Sequence, residues 1–190
     1  MADTGESDET LLERYAAGDT AAFAQLYQRH EMSTWRYLER NVGNRAIAEE
    51  LLQEVWFAVA RDAARYEPTA RFATWLFTIA RNRMIDCVRA RRPQVSLESV
   101  GYESAALLGQ LTAEPAAGPL PAVLVREQAG ALRQAMQELP PEQRDAFLLH
   151  VEAELSVEEV ATLTRSSFET TRSRLRYARA RLRELLREYA

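Results

Sequence analysis

Residues 165–187 read RSSFETTRSRLRYARARLRELLR, with eight arginines against two glutamates in a chain whose net charge is −4. Concentrated positive charge on an acidic protein is an electrostatic footprint, and a polyanion is its natural partner. Just before it, Ser156-Val-Glu-Glu159 has the capping-box pattern that opens a short helix. Ser166-Ser-Phe-Glu169 repeats that pattern. Two helices this close, joined by a few residues, have the spacing of a helix-turn-helix, whose second helix enters a DNA major groove. The plainer alternative is an arginine face on an ordinary C-terminal helix, and the remaining sequence has to decide between them.

The 190 residues fit one or two domains. A hydrophobic content of 47% is enough for helical cores. Ala, Leu, Arg and Glu dominate, and all favour helix. All 24 basic residues are arginine, whose fork suits phosphate and guanine, although base composition of the genome produces the same bias. Cys87 is alone, so no disulfide framework or thiolate metal cluster is expected. His30 and His150 lie in different helical stretches without a ligand motif and read as structural. There is no Gly-rich phosphate loop and no nucleophile–base pair at a motif spacing, so neither an enzyme nor a cofactor is expected. No apolar run approaches the roughly 18 residues of a membrane span, and the N-terminus is acidic, unlike a signal peptide. The expectation is a cytoplasmic protein without membrane insertion.

Upstream, the pattern is helical throughout. Asp8 is placed to cap a short helix through Ala17, and Asp19 to cap a long one that stops at Gly43-Asn44. A third helix spans about 45–66. Its row Ile47, Leu51, Val55, Val59 faces a core, with Leu52 and Trp56 beside it. Glu49, Glu50, Gln53, Glu54 and Phe57 decorate its other side, either as a solvated face or as a docking surface. Pro68 breaks the chain, and a fourth helix follows over about 70–92. It carries six arginines (71, 81, 83, 89, 91, 92) against Asp86. Arginines beside Tyr66, Phe72, Trp75 and Phe77 suit unstacked DNA, whose bases stack on rings and whose phosphates meet cations. Burial in a core is the alternative for these rings, and the favoured one for Trp75. Residues 93–122 hold four prolines and three glycines and read as a flexible linker with an r.m.s. reach of roughly 30 Å. Four more helices are expected over 123–190. The predicted fold is all-α: a helical domain over 8–92, the linker over 93–122, and a helix-turn-helix domain over 123–190.

At this point the residues resemble a known family. The chain looks like a bacterial RNA polymerase sigma factor of the extracytoplasmic-function type. Gly18-Asp-Thr-Ala-Ala-Phe23 with Leu26-Tyr27 is similar to that family's opening helix. Ala48-Glu-Glu-Leu-Leu-Gln-Glu-Val-Trp56 resembles its polymerase-binding helix, and Phe72-Ala-Thr-Trp-Leu-Phe-Thr-Ile-Ala-Arg-Asn82 its promoter-melting helix. Leu139-Pro-Pro-Glu-Gln-Arg144 and Leu155-Ser-Val-Glu-Glu-Val-Ala161 are similar to its −35-reading domain.

The resemblance implies roles. Glu49, Glu50, Gln53, Glu54 and Trp56 would dock on core RNA polymerase. Arg71, Thr74, Arg81, Asn82, Arg83, Asp86 and Arg89 would lie along a single-stranded −10 element, with Glu67 and Thr69 in a loop that cradles a flipped base. Ser166, Ser167, Glu169, Thr170, Arg172, Ser173 and Arg176 would approach the −35 duplex, and Arg165, Arg174 and Arg179 would hold its phosphates. An anti-sigma factor is a further implied partner. Three features depart from the family, one of them Glu169 in place of a frequent glycine. Arg165 stands where glycine is frequent in the turn, and Thr164 where an apolar residue is usual. Two other readings remain: a stand-alone helix-turn-helix regulator, and a sigma-like protein that sequesters an anti-sigma factor.

Overall fold

A computed structural model describes residues 5–91 and 120–189, with side chains in the second segment described over 128–188. Among these residues the secondary structure is entirely helical. α1 (Asp8–Ala16) is capped by Ser7, whose Oγ accepts the Thr10 N–H at 3.2 Å. The expected cap Asp8 instead pairs with Arg29 and His30 at 2.7 and 2.6 Å. α2 (Thr20–Val42) starts at Asp19, which accepts the Ala21 and Ala22 N–H groups. It ends at Gly43, whose φ of 68° is the left-handed conformation that glycine adopts without steric cost. α3 (Arg45–Asp62) is capped by Asn44 and runs into a 3₁₀ turn over Ala63–Arg65, so it is shorter than the sequence suggests.

α4 (Phe72–Ala90) has no side-chain cap from its own preceding residue Arg71. The carboxylate of Glu9 on α1 accepts the Phe72 N–H at 2.8 Å, so a distant helix caps this one and fixes its entry. α5 (Leu120–Gln137) begins three residues before the expected start. α6 (Pro141–Glu152) places its proline in the first turn, where the missing N–H costs nothing. α7 (Val157–Thr164) opens with the complete Ser156/Glu159 capping box. α8 (Phe168–Leu185) closes the described chain with a 3₁₀ turn over Arg187–Tyr189.

The core row Ile47, Leu51, Val55, Val59 is buried as its i, i+4 spacing requires. Leu11, Leu26, Leu38, Phe72, Leu76 and Phe77 join it in the N-terminal half, all fully excluded from solvent. Leu148, Leu149, Leu155, Leu175 and Leu182 fill the C-terminal half. The two sets form one continuous apolar cluster. α2 is the shared wall: it packs against α1, α3 and α4 on one side and α5 and α6 on the other. The two helical units therefore lie against each other.

Candidate nucleic-acid interface

α7, a three-residue turn and α8 form the helix-turn-helix. Arg165 ends α7 with φ 54° and ψ 42°, so a left-handed conformation occurs here without glycine. Strain of about 1 kcal/mol is the ordinary cost of that choice. A chain of hydroxyls supports the turn. Thr164 Oγ1 lies 2.9 Å from Ser166 Oγ, which lies 2.7 Å from the Oγ1 of fully buried Thr171. This explains Thr164 at an apolar position: its hydroxyl donates to the Val160 carbonyl at 2.7 Å and joins the relay. It also corrects two expectations. Ser166 belongs to the turn's internal support, not to the groove-facing set. The helix cap is Ser167, which accepts the Thr170 N–H at 3.1 Å, and not a Ser166/Glu169 box.

α8 buries Thr171, Leu175, Ala178 and Leu182. The opposite stripe, Glu169, Arg172, Arg176 and Arg179, is exposed. The guanidinium of Arg176 lies over the Tyr177 ring, 4.9 Å from its centroid, which holds both side chains outward. Arg165, Ser167 and Thr170 are exposed beside the stripe, and Ser173 is half-buried. Arg174, expected to hold phosphate, forms an ion pair with Glu142 on α6 in the free chain. Arg181 is likewise paired, with Glu138 and Glu184.

The second basic helix divides into two faces. Asn82, Asp86 and Arg89 share the exposed one. Half-buried Arg83 lines a shallow cleft with Asp86, Cys87, Arg91, Glu50 and Glu54. The other face, Thr74 and Arg81, meets the C-terminal half. Thr74 donates to Glu159 of α7 at 2.9 Å, and Arg81 Nε donates to Asp145 of α6 at 2.7 Å. Arg71, just before α4, lies 3.9 Å from Glu159. Glu67 and Thr69 are exposed on the loop ahead of α4, which the Tyr66 hydroxyl closes by donating to the Ala70 carbonyl at 2.6 Å. Burial alone would raise the Glu159 carboxyl. Bonds from the Ser156 N–H and the Thr74 hydroxyl, with Arg71 nearby, outweigh it and hold the pKa below the ordinary value. Phe72 and Phe77 are fully buried, so neither ring is placed to stack on a base. Half-buried Tyr66 and Trp75, 5.1 Å apart, are the aromatic pair left near the loop.

On α3, Glu49, Glu50, Gln53 and Glu54 form an exposed acidic face that ends in Phe57, which is 75% exposed. Glu49 pairs with Arg45, and Glu50 with Arg91. Trp56 does not belong to this face. It is 5% exposed and packs edge-on against Phe23 and obliquely against Tyr27. It anchors α3 from beneath the acidic face.

The sequence reading missed the residues that join the halves. Tyr37 on α2 is fully buried and donates to Asp145 at 2.8 Å, so Asp145 receives both Tyr37 and Arg81. Glu152, on the last turn of α6, is clamped by Arg36 and Arg40. Glu39 pairs with Arg133 at 2.6 Å. Burial, with Asp145 adding to it, raises the Tyr37 phenol well above its ordinary range and keeps it a neutral donor. A polar-tipped aromatic amid apolar spacing, and a lone carboxylate in the apolar run of α6, were the available signals. Neither specifies its partner. Among the described residues no helix is long and apolar enough to cross a membrane.

Two helical units, one ending in a helix-turn-helix with an outward arginine stripe, have the architecture of a DNA-binding protein. Comparison with known proteins narrows the class. Sigma-70 region 2 matches residues 26–94, and Sigma-70 region 4 matches residues 129–182. The chain is 35% identical to the RNA polymerase sigma factor CarQ of Myxococcus xanthus, covering 93% of this chain and 96% of that one. It is 29% identical to the ECF RNA polymerase sigma factor SigW of Bacillus subtilis, covering 90% and 92%. Among solved structures, RpoE in complex with the anti-sigma factor NepR from Bartonella quintana superposes with a TM-score of 0.65 at 25% identity, covering 87% and 96%. CnrH in complex with the cytosolic domain of CnrY gives 0.68 at 22% identity, covering 97% and 100%, and supports the fold. The chain belongs to the RNA polymerase sigma factors of the extracytoplasmic-function group.

Proposed function

We propose that this sigma factor docks on core RNA polymerase through the acidic face of α3, reads a −35 duplex through α8, and captures the unpaired −10 strand with α4 and the loop before it. The observation that carries the reading is the exposed stripe Glu169, Arg172, Arg176 and Arg179 on a helix whose opposite side is buried. Such a helix presents its first turns to base edges. Glu169 and Arg172 lie there: a carboxylate accepts from cytosine N4, and a guanidinium donates in pairs to guanine. Arg165 and Arg179 are suited to phosphates, which fix register without reading sequence.

On the −10 side, extruding a base costs a few kcal/mol. Contacts from the loop carrying Glu67 and Thr69 and from the neighbouring Tyr66 and Trp75, with Arg71, Arg83 and Arg89 on the backbone, offset that cost without ATP. Asn82 and Asp86 supply polar contacts on the same exposed face as Arg89. The functional units are 8–92 for polymerase and −10 binding, 93–122 as the linker, and 123–190 for −35 binding. The protein works in the cytoplasm, where its polymerase is, and catalyses no reaction itself. An anti-sigma factor is its regulatory partner, by likeness to RpoE of Bartonella quintana, solved with the anti-sigma factor NepR.

The test is transcription by purified core polymerase on a pool of genomic promoter fragments. Discrete starts that depend on the protein are expected. A protein that binds promoter DNA alone and starts no transcript with core is a stand-alone regulator instead. The double change Glu50→Arg, Glu54→Arg should abolish co-elution with core by reversing the charge of the docking face. Unaltered co-elution removes α3 from the interface.

A further inference from the structure

The tip of α8 carries the groups that meet base edges first, because a recognition helix offers its N-terminal residues to the major groove. The hydroxyls at positions 166, 167, 170 and 171 are engaged inside the chain. Ser167 Oγ accepts the Thr170 N–H and lies 2.8 Å from Thr170 Oγ1. Ser166 Oγ and Thr171 Oγ1 meet behind the turn, 2.7 Å apart. The side chains of Phe168, Glu169 and Arg172 are exposed there and make no hydrogen bond, ion pair or ring contact among the described residues.

Glu169 and Arg172 are suited to cytosine and guanine. Phe168 is the third member of the set and has no role so far. It is the first residue of α8 and is 41% exposed, whereas Leu175 and Leu182 of the same helix are 3% and 6% exposed. A large apolar side chain standing singly on a surface means little by itself. Here its place decides. Residues 168 and 172 are four apart, so they share a helix face with their Cβ atoms about 5–6 Å from each other. Phe168 therefore starts beside Arg172 on the leading turn, between two polar readers of base edges. The apolar mark in the major groove is the C5-methyl of thymine, and phenylalanine is one of the side chains that meet it.

We infer that Phe168 reads thymine: its ring covers the C5-methyl of one thymine in the −35 element and sets a position that neither Glu169 nor Arg172 specifies. This rests on the proposed reading of the −35 duplex by α8. Base pairs are stacked about 3.4 Å apart, so a side chain starting about 5–6 Å from that of Arg172 meets a pair within about two of the one Arg172 reads. The recognition is hydrophobic. Uracil pairs with adenine as thymine does and lacks only the methyl, so it isolates this contact from every hydrogen bond in the groove.

The experiment uses holoenzyme assembled from the full chain and core polymerase, on a duplex promoter fragment that it transcribes. Each thymine of the −35 element, on either strand, is replaced in turn by deoxyuridine, and affinity is read by fluorescence anisotropy. One replacement should weaken binding about fourfold, the worth of burying one CH₂-sized group. Phe168→Ala holoenzyme should bind the thymine fragment no better than the wild type binds the uracil one, and should not distinguish the two. Phe168→Leu, still apolar, should keep part of the discrimination. If Phe168→Ala loses helicity by circular dichroism, Phe168→Gln takes its place with the same expectations. A −35 element without thymine on either strand, or one in which no replacement weakens binding, overturns the inference. So does discrimination that persists undiminished in Phe168→Ala, since another group then holds the methyl. A holoenzyme that transcribes but ignores uracil still reads its promoter through Glu169 and Arg172, so the proposed function stands. A chain that starts no transcript with core removes both readings.

Discussion

α4 and α8 are both arginine-bearing helices in an acidic chain, yet their surroundings differ. On α8, Arg172, Arg176 and Arg179 face solvent, and the hydroxyl relay behind the turn holds the helix ready. On α4, Thr74 and Arg81 are occupied by carboxylates from the other half, while Asn82, Asp86 and Arg89 stay open. A helix that reads closed duplex can be displayed permanently, because duplex phosphates and groove edges are always available. On the role proposed for α4, its substrate is unpaired DNA, which exists only after strand separation. In that reading the difference in packing goes with a difference in substrate, duplex for α8 and unpaired strand for α4.

The largest effect should come from removing what positions α4. Phe72 is fully buried beside His30 and Trp75, at the turn where Glu9 caps the helix. Phe72→Ala should lower stability by about 3–5 kcal/mol in urea denaturation. If the loss is under about 1 kcal/mol, α4 is not held by this core. Next is α8. Arg172→Ala should cost about 1–3 kcal/mol of promoter affinity in holoenzyme binding assays, with discrimination lost at one −35 position. Equal loss on every sequence would demote Arg172 to a phosphate contact.

Much of the helical layout was legible in the sequence, because caps and apolar spacing are local signals. Asp19, Gly43 and the Ser156/Glu159 box end or begin helices where they stand. The i, i+4 row on α3 was equally readable. What was not legible depends on tertiary partners. Ser166 and Ser167 are both plausible caps, and only the buried Thr171 hydroxyl decides which serine turns inward. Trp56 belongs to the core because Phe23 and Tyr27 arrive from α2. Arg174 looks like its neighbours until Glu142 of α6 is placed beside it. The contacts of Tyr37 with Asp145 and of Arg36 with Glu152 join positions more than a hundred residues apart, and no sequence pattern links them.

Smaller effects sharpen the contrast. Arg165→Gly should stabilise the helix-turn-helix by about 1 kcal/mol, since glycine carries no left-handed penalty. Thermal melting checks this, and a loss of stability would mean that the arginine side chain contributes more than the strain costs. Asp8 gives the smallest effect, at most about 1 kcal/mol for a partly exposed pair. Burial raises its carboxyl, but hydrogen bonds from His30 and Arg29 outweigh burial and leave the pKa below 3.8. Its stabilisation is therefore complete above the ordinary carboxylate pKa and fades as pH falls through the lowered one. Asp8→Asn should be less stable than wild type at pH 6, and the difference should shrink as the pH falls through the lowered pKa. A difference that persists at low pH would mean that Asp8 acts through packing alone.

The division of labour between α8 and α4 is tested most directly by permanganate footprinting of the holoenzyme on a promoter it transcribes, since permanganate oxidises unpaired thymines. The account predicts reactive thymines across the −10 element and none in the −35 element. Reactivity in both elements, or in neither while transcription proceeds, would contradict it.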